Sequence, residues 1–358
     1  MIRVLHYLDS LDWKGEEQVI MNYYRHINTS EVQFDFVTRS QPGCRFQEEI
    51  EKRGGKIYYL PSRERHPIRY IKAFRKILKD NQYSIVHLNK SGASIAIDAM
   101  ICKACGVKTV IGHSHSTFCS ALLLHKTCKL FVNLFVDYRF GCSHEAGKWI
   151  FGNKKDIAVI NNAIDVASFS FDSGKRERLR KEFNVSDRFV IGFVGRLAPA
   201  KNPLRLIDIF HQILSVREDA ALLIVGDGPE KAAMEEKIRA YGIEDRVVFA
   251  GLRNDVPDLY SAFDVFVLPS LYEGLGMVLM EAQTNGLYSV ASDVVPAPDI
   301  TDRVRKISLE ESDAAWAQAI CDVPATSRDD VAAMIKDGGY DIRYEAEKLQ
   351  DFYQKISG

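Results

Sequence analysis

Two cations five residues apart, Arg196 and Lys201, stand where the apolar run Phe189–Val194 gives way to GRLAPAKNP. At the carboxyl end of a strand such a pair can grip a diphosphate from two sides, the guanidinium as a planar fork and the ammonium as a point charge. A second loop, PSLYEGLGMVLME (269–281), follows the apolar run Val265–Leu268 and opens a helix near Met277. Glycines at a strand-to-helix junction let the backbone approach a ligand closely, and the free N–H groups there favour a phosphate. Glu273 falls in that loop. Glu281, eight residues on, falls in the first turns of the helix, where a carboxylate can accept both hydrogen bonds of a ribose diol. Two glutamates at this spacing are common by chance; their setting of strand, glycine loop and helix start is what is specific.

Other loops carry weaker signals. VGDGP (225–229) reads first as a turn, with Asp227 as its turn residue and ligand contact as the alternative. In LDSLDWKGEE (8–17), Gly15 either brings backbone N–H groups to a phosphate or merely admits a helix. GHSHST (112–117) sets two imidazoles and three hydroxyls at the end of another strand; one histidine could orient or polarise a sugar hydroxyl, and His113 reads as structural. Cys102 and Cys105, with His113 and His115 nearby, could suggest zinc. The pair lies inside a helix predicted over Ile97–Cys105, so both thiols are expected to pack against a sheet. Pro67–Lys79 places Ile68, Ile71, Phe74 and Ile77/Leu78 on one side and Arg69, Lys72, Arg75, Lys76 and Lys79 on the other, an amphipathic helix with a membrane-surface helix as the minority reading.

These loops need a scaffold of parallel strands, and the pattern supplies two. Apolar runs at Ile2–Leu8, Val32–Val37, Lys56–Leu60, Ile85–Leu88, Thr109–Gly112, Tyr138–Cys142 and Ile157–Ile160 alternate with amphipathic segments such as Glu17–His26. After a polar stretch, Ile164 to Arg188, read as a linker bearing a helix, the alternation restarts with strands at Phe189–Val194, Ala221–Val225, Val247–Ala250, Val265–Leu268 and Ser289–Ala291. Strand–helix alternation predicts α/β doubly wound domains. The expected divisions are 1–165, 166–340 and a terminal helical segment 341–358, with the ligand in a cleft between domains beyond the carboxyl ends of the strands.

The 358 residues are 46% hydrophobic and 27% charged, which excludes a disordered chain. The net charge of −1 hides an asymmetry: residues 1–165 hold 24 basic and 16 acidic side chains, whereas 166–358 hold 23 and 32. The basic half suggests an anionic partner, a lipid surface or a phosphorylated ligand, and nothing in the total favours nucleic acid. Seven scattered cysteines form no disulfide framework and fit a reduced compartment. No secretory signal and no spanning segment is expected; the most apolar stretch, Ala121 to Val136, is broken by His125, Lys126, Lys129 and Asn133.

The Gly-Arg at a strand end with Lys201 beyond it, and the element EGLGMVLME, resemble the retaining glycosyltransferase family 4 pattern on the GT-B fold. HSHST, CSHEAGKWIFG, LLIVGDGPE, VVFAGLRNDVPDLYSAFDVFVLPS and EAQTNGL are similar to its capsular- and exopolysaccharide members. The resemblance implies two Rossmann-like domains facing a central cleft, with the terminal helix crossing back onto the first. It implies that Arg196 and Lys201 hold the donor diphosphate and that Glu273 meets the sugar hydroxyls. Gly274, Leu275, Gly276 and Met277 would offer backbone N–H groups and Glu281 would hold the ribose. Gly15 would close onto the phosphate, His115 would lie near sugar and acceptor, and Leu252, Arg253 and Asn254 would receive the base along their backbone. The activity so implied is transfer of a sugar, with retention, from a nucleotide diphosphate such as a UDP-sugar to a lipid-linked or oligosaccharide polysaccharide precursor. The implied setting is the cytoplasm, with peripheral contact to anionic membrane. The chain contains no Asp-x-Asp sequence, so no cofactor or metal is expected. A UDP-sugar epimerase on the same fold and a degenerate partner subunit are the rival readings. Lys14-Gly15 in place of the family's Gly-Gly, and Asn161-Asn162-Ala163 in place of Pro-Asn-Gly, are departures that remove no needed charge.

Overall fold

The computed structural model describes all residues except 13, 14, 120, 274, 275, 297, 325–327, 329 and 330. It divides into two compact units, Met1–Ala163 with Gly339–Gly358, and Ile164–Gly338. Each is a doubly wound α/β unit around one parallel sheet.

The first sheet contains β1 (Ile2–Leu8), β2 (Val32–Thr38), β3 (Ile57–Tyr59), β4 (Ile85–Lys90), β5 (Thr109–Ser114), β6 (Tyr138–Gly141) and β7 (Ile157–Val159), in the order β3-β2-β1-β4-β5-β6-β7. Helices cover both faces, so the strands are buried even where they are polar: every residue of β2 and β4 is buried. Burial of that kind requires partners. Asp35 of β2 has them in Arg3 (Nε at 2.7 Å), the Tyr83 hydroxyl (2.7 Å) and the Lys56 N–H (2.8 Å).

Over one face lie the helices Pro67–Asn81, Ile95–Ala104 and Leu122–Lys129, packed as neighbours on a core containing Tyr70, Phe74, Leu78, Ala99, Cys102 and Cys128. The apolar side expected for 67–79 is only half right. Tyr70, Phe74 and Leu78, one i, i+4, i+8 row, point inward, whereas Ile68 is 69% exposed and Ile71 37% exposed beside the cations. Tyr70 takes the inward place because its hydroxyl donates to the buried Asp98 carboxylate at 2.6 Å. Over the opposite face the helix Gly15–His26 packs with the terminal helix Ile342–Ser357, which starts at Asp341 accepting from the Arg343 N–H (3.0 Å). Gln350 and Gln354 of that helix both donate to Glu31.

The second sheet contains β8 (Phe189–Val194), β9 (Ala220–Val225), β10 (Val247–Gly251), β11 (Val265–Leu268), β12 (Tyr288–Ser292) and β13 (Val304–Ile307), in the order β10-β9-β8-β11-β12-β13. The apolar runs of β8, β9 and β11 form its centre. Two features depart from expectation. The stretch read as a linker carries the helices Val166–Phe169 and Ser173–Glu182, and Arg176 and Arg180 both pair with Asp264, just before β11. β13 is an edge strand whose sequence, VRKI, is too short and too charged to stand out as an apolar run.

Candidate active site

In a doubly wound sheet the loops at the point where strand order reverses splay apart and leave room for a ligand beyond the carboxyl ends. In the second unit that point lies between β8 and β11, which pair in parallel. The loops singled out in the sequence are the ones that leave these two strands. They are tied together: the Leu271 and Tyr272 N–H groups donate to the Ala200 carbonyl at 2.9 and 3.3 Å. The turn after β9 backs them. Leu197 N–H donates to the Asp227 carbonyl, and a Cβ on Gly226 would fall 2.0 Å from the Gly195 oxygen, so this approach requires glycine. Asp227 accepts from the Gly228 N–H at 2.8 Å, which accounts for it as a turn residue.

Lys201 Nζ lies 2.5 Å from Glu273 Oε1, and the Ser270 hydroxyl donates to the same oxygen at 2.7 Å. Ser270 is fully buried and its carbonyl accepts from the Ser292 hydroxyl at 2.6 Å, so the strand end holds the serine that holds the glutamate. Arg196 is exposed, and its guanidinium has no partner among the described residues. Gly276 adopts a left-handed backbone (φ 62°, ψ 46°) as it enters the helix Met277–Thr284, whose first N–H groups have no acceptor within the helix itself. Gly274 and Leu275 lie outside the described residues.

Glu281 sits in that helix, its Oε2 accepting from the Tyr260 hydroxyl at 2.6 Å. Burial pushes its carboxyl up, against the opposing pull of that hydrogen bond and of the Lys201 charge. Lys201 thus acts electrostatically on both glutamates. Leu252 and Asn254 are exposed after β10; the Arg253 side chain is bound to Asp255 (2.8 Å twice) and Glu182 (3.0 Å).

In the first unit the strand order reverses between β1 and β4. Gly15 begins the helix after β1 and is exposed, with nothing within 4 Å of where a Cβ would stand. His115 follows β5 and is buried, its Nε2 3.1 Å from Asn89 Oδ1 and its ring 4.0 Å from that of His113. Cys102 is buried in the core and Cys105 packs beside it, in keeping with thiols facing a sheet. Among the described residues no group of three or more His, Cys, Asp or Glu is disposed to hold a metal ion.

Comparison with known proteins fits this arrangement. The model for "Glycosyltransferase Family 4" matches residues 13–168 and that for "Glycosyl transferases group 1" matches 175–325. EpsF of Bacillus subtilis (strain 168), named as a glycosyltransferase, is 30% identical over 98% of this chain and 96% of its own length. The chain belongs to glycosyltransferase family 4. Another relative, the UDP-Gal:alpha-D-GlcNAc-diphosphoundecaprenol alpha-1,3-galactosyltransferase of Escherichia coli, is 31% identical over 61% of this chain and 60% of its own. The fold is that of the GT-B glycosyltransferases: HepE of Anabaena, solved with UDP, superposes with a TM-score of 0.82 over 99% of this chain and all of its own at 18% identity. With relatives that are named transferases, the epimerase reading of this glycosyltransferase is not favoured.

Sequence reasoning missed Ser270, Tyr260 and Asn89. Each acts through another side chain; Ser270 and Tyr260 lie within PSLYEGLGMVLME and VVFAGLRNDVPDLYSAFDVFVLPS without a charge that marks them, and Tyr260 stands 21 positions before the glutamate it touches.

Proposed function

We propose that this glycosyltransferase moves a sugar from a UDP-sugar to a polysaccharide precursor carried on a lipid diphosphate, with retention of configuration. The observation that carries the reading is the cluster of Lys201, Glu273 and Glu281 at the β8/β11 reversal, with Arg196 exposed on the loop that leaves β8 and without a partner among the described residues. In this reading Arg196 and Lys201 take up charge as the bond from sugar to diphosphate breaks, aided by the N–H groups at Gly276 and Met277. Glu273 accepts from sugar hydroxyls, Glu281 from the ribose diol, and the backbone of 252–254 receives the base. The acceptor oxygen attacks from the face the diphosphate leaves, its proton passing to the departing phosphate oxygen, so no protein nucleophile is required. In this reading Gly15 meets a phosphate and His115 lies near the sugar and acceptor. No metal ion or other cofactor enters the reaction.

UDP as the base-bearing group is supported by the UDP-bound fold neighbour and the UDP-Gal-dependent relative, and the latter's acceptor supports a lipid-linked one. The site of action in this reading is the cytoplasmic membrane surface. The face of the first unit bearing helices 67–81, 95–104 and 122–129 exposes Ile68, Ile71, Leu122, Leu123, Leu130 and Leu134 among lysines and arginines. Among the described residues no helix is long and apolar enough to cross a membrane, so contact would be peripheral. The test is UDP release from a panel of UDP-hexoses with and without a polyprenyl-diphosphate sugar. Stimulation by that acceptor, with an α-linked product from an α-linked donor, is expected; interconversion of UDP-sugars without acceptor would reinstate the epimerase.

A further inference from the structure

Four histidines lie buried side by side in the first unit: His6 on β1, His87 on β4, and His113 and His115 at the end of β5. The terminal helix inserts Tyr353 among them, and Asn89 of β4 completes the group. Each of these side chains is at most 6% exposed. Burial holds all four imidazoles neutral, with His6 and His115 pushed down to about 3 and His87 and His113 well below the usual value.

A neutral imidazole has one donor and one acceptor nitrogen, and its neighbours decide which is which. Asn89 Nδ2 faces the carbonyl oxygens of Tyr7 (3.2 Å) and His87 (3.3 Å), so the amide orientation is determined: an oxygen there would meet only acceptors. Its Oδ1 therefore faces His115 Nε2, which must donate, and His115 Nδ1 is left as a bare lone pair. On the other side the same amide nitrogen, its two hydrogens shared among three neighbours, faces His6 Nδ1 at 3.4 Å, so that ring nitrogen is the accepting one. His6 then donates from Nε2 to the Tyr353 oxygen (3.3 Å), and Tyr353 donates to His87 Nδ1 (2.6 Å). His87 in turn donates from Nε2 to His113 Nδ1 (3.2 Å).

Every partner in this relay is accounted for, and two atoms remain: His113 Nε2, a donor, and His115 Nδ1, an acceptor. Both are buried and neither has a partner among the described residues, although the two ring centroids lie 4.0 Å apart with the rings tilted by 36°. Leaving such groups unmade costs about 1–3 kcal/mol each, so a fold that keeps both has a use for them.

We infer that Asn89 is a positioning residue that locks His115 as its Nε2–H tautomer, so that the Nδ1 lone pair accepts a hydrogen bond from a carbohydrate hydroxyl, while the relay through Tyr353 leaves His113 as the complementary N–H donor. The inference rests on the reading of His115 as a sugar-facing residue and supplies the protonation state that reading requires. It also gives the terminal helix a role beyond covering the sheet, since Tyr353 directs the protons of His87 and His113.

The test is two-bond proton–nitrogen correlation spectroscopy of the full-length chain labelled with nitrogen-15 in histidine, near neutral pH. The His115 signals, identified by their loss in His115→Gln, should show the Nε2–H pattern. Nδ1 should move upfield when UDP-glucose, UDP-galactose or UDP-N-acetylglucosamine is added, and should stay in place with UDP alone. Asn89→Ala should give mixed tautomers at His115 and lower kcat about tenfold, the loss of one oriented hydrogen bond, while the UDP Kd stays within about twofold. An Nδ1–H pattern in the wild-type protein, or an Nδ1 signal unmoved by every UDP-sugar that demonstrably binds, overturns the inference. Should Asn89→Ala fail to fold, the wild-type spectra decide alone. A protein that binds no UDP-sugar would sink the proposed function and the ligand half of this inference together, and the ligand-free spectra would still decide the tautomer.

Discussion

Lys201 and Glu273 form an ion pair 2.5 Å long, with the lysine side chain 19% and the glutamate side chain 9% exposed. A donor diphosphate needs the same ammonium, so binding in the proposed reading replaces a carboxylate partner by a phosphate and frees Glu273 for sugar hydroxyls. The glutamate variant should therefore differ from the two cation variants. Lys201→Ala or Arg196→Ala is expected to lower kcat/KM about a hundredfold or more, roughly 3 kcal/mol of transition-state charge stabilisation. Glu273→Gln removes the competitor, so UDP should bind at least as tightly while kcat falls. Calorimetric UDP titration beside steady-state rates separates the two; weaker UDP binding in Glu273→Gln would contradict the exchange.

Tyr260 is fully buried and donates to one oxygen of Glu281, which in the proposed reading leaves the other oxygen for the ribose. Tyr260→Phe keeps the ring packed against Phe263 and Phe266 and removes only the hydroxyl. UDP affinity is expected to drop by about 1.5–3 kcal/mol at most, the range for a hydrogen bond to a charged group. The loss should vanish for a UDP analogue lacking both ribose hydroxyls. An equal loss for the two ligands would mean that Tyr260 supports the fold alone.

How much of this was legible in the sequence depended on whether a residue's role is local. The β8 and β11 loops were legible because cation, glycine and glutamate lie within a dozen residues of an apolar run, and parallel strands impose that order. The apolar side of helix 67–81 was misread because Tyr70 carries a polar atom, and only its partner Asp98 explains why it turns inward. The histidine relay was invisible for a different reason. His6, His87, His113 and Tyr353 stand far apart in the chain, and a lone histidine in a strand reads as a core residue until the sheet order puts β1, β4 and β5 side by side.

The same relay makes a pH prediction with a definite sign. Unfolded histidine titrates near 6.5, whereas His6 and His115 titrate at about 3 in the fold, with burial as the main cause. Below about 6.5 the unfolded chain binds protons that the folded chain refuses, so stability falls as pH falls, over a window that closes near 3. Each such histidine contributes a slope of up to about 1.4 kcal/mol per pH unit. Calorimetric Tm should decline steeply between about pH 6.5 and 5, before the carboxylates titrate. A Tm that stays level over that interval would show that the cluster is protonated without cost.

Metal independence follows from where the leaving charge goes in the proposed reaction. Arg196, Lys201 and the N–H groups at the start of the helix Met277–Thr284 supply the positive field, and the chain has no Asp-x-Asp sequence to hold a divalent ion. Initial rates of sugar transfer should be nearly unchanged by excess EDTA. Loss of rate that magnesium or manganese restores would assign part of that charge to a metal instead.

Membrane docking is the prediction with the most structure behind one face and the least in any motif. Helix 67–81 exposes Ile68 and Ile71 between Lys72, Arg75, Lys76 and Lys79; helix 122–129 and the turn after it expose Leu122, Leu123 (82%), Leu130 (85%) and Leu134 (76%) beside Lys126. Cations near an anionic surface contribute about 1 kcal/mol each within a Debye length, and apolar side chains that enter the interface add a salt-insensitive share. The two contributions can be separated. In vesicle sedimentation, binding to anionic vesicles should fall with salt without vanishing, and neutral vesicles should retain little protein. Lys72→Glu with Lys76→Glu should abolish the salt-sensitive part, and Leu123→Asp with Leu130→Asp the remainder, while turnover of a short-chain, water-soluble acceptor stays at the wild-type rate in all of them. Equal and negligible binding to both vesicle types would leave the leucines as scattered surface residues and point to an acceptor that is not held in a bilayer.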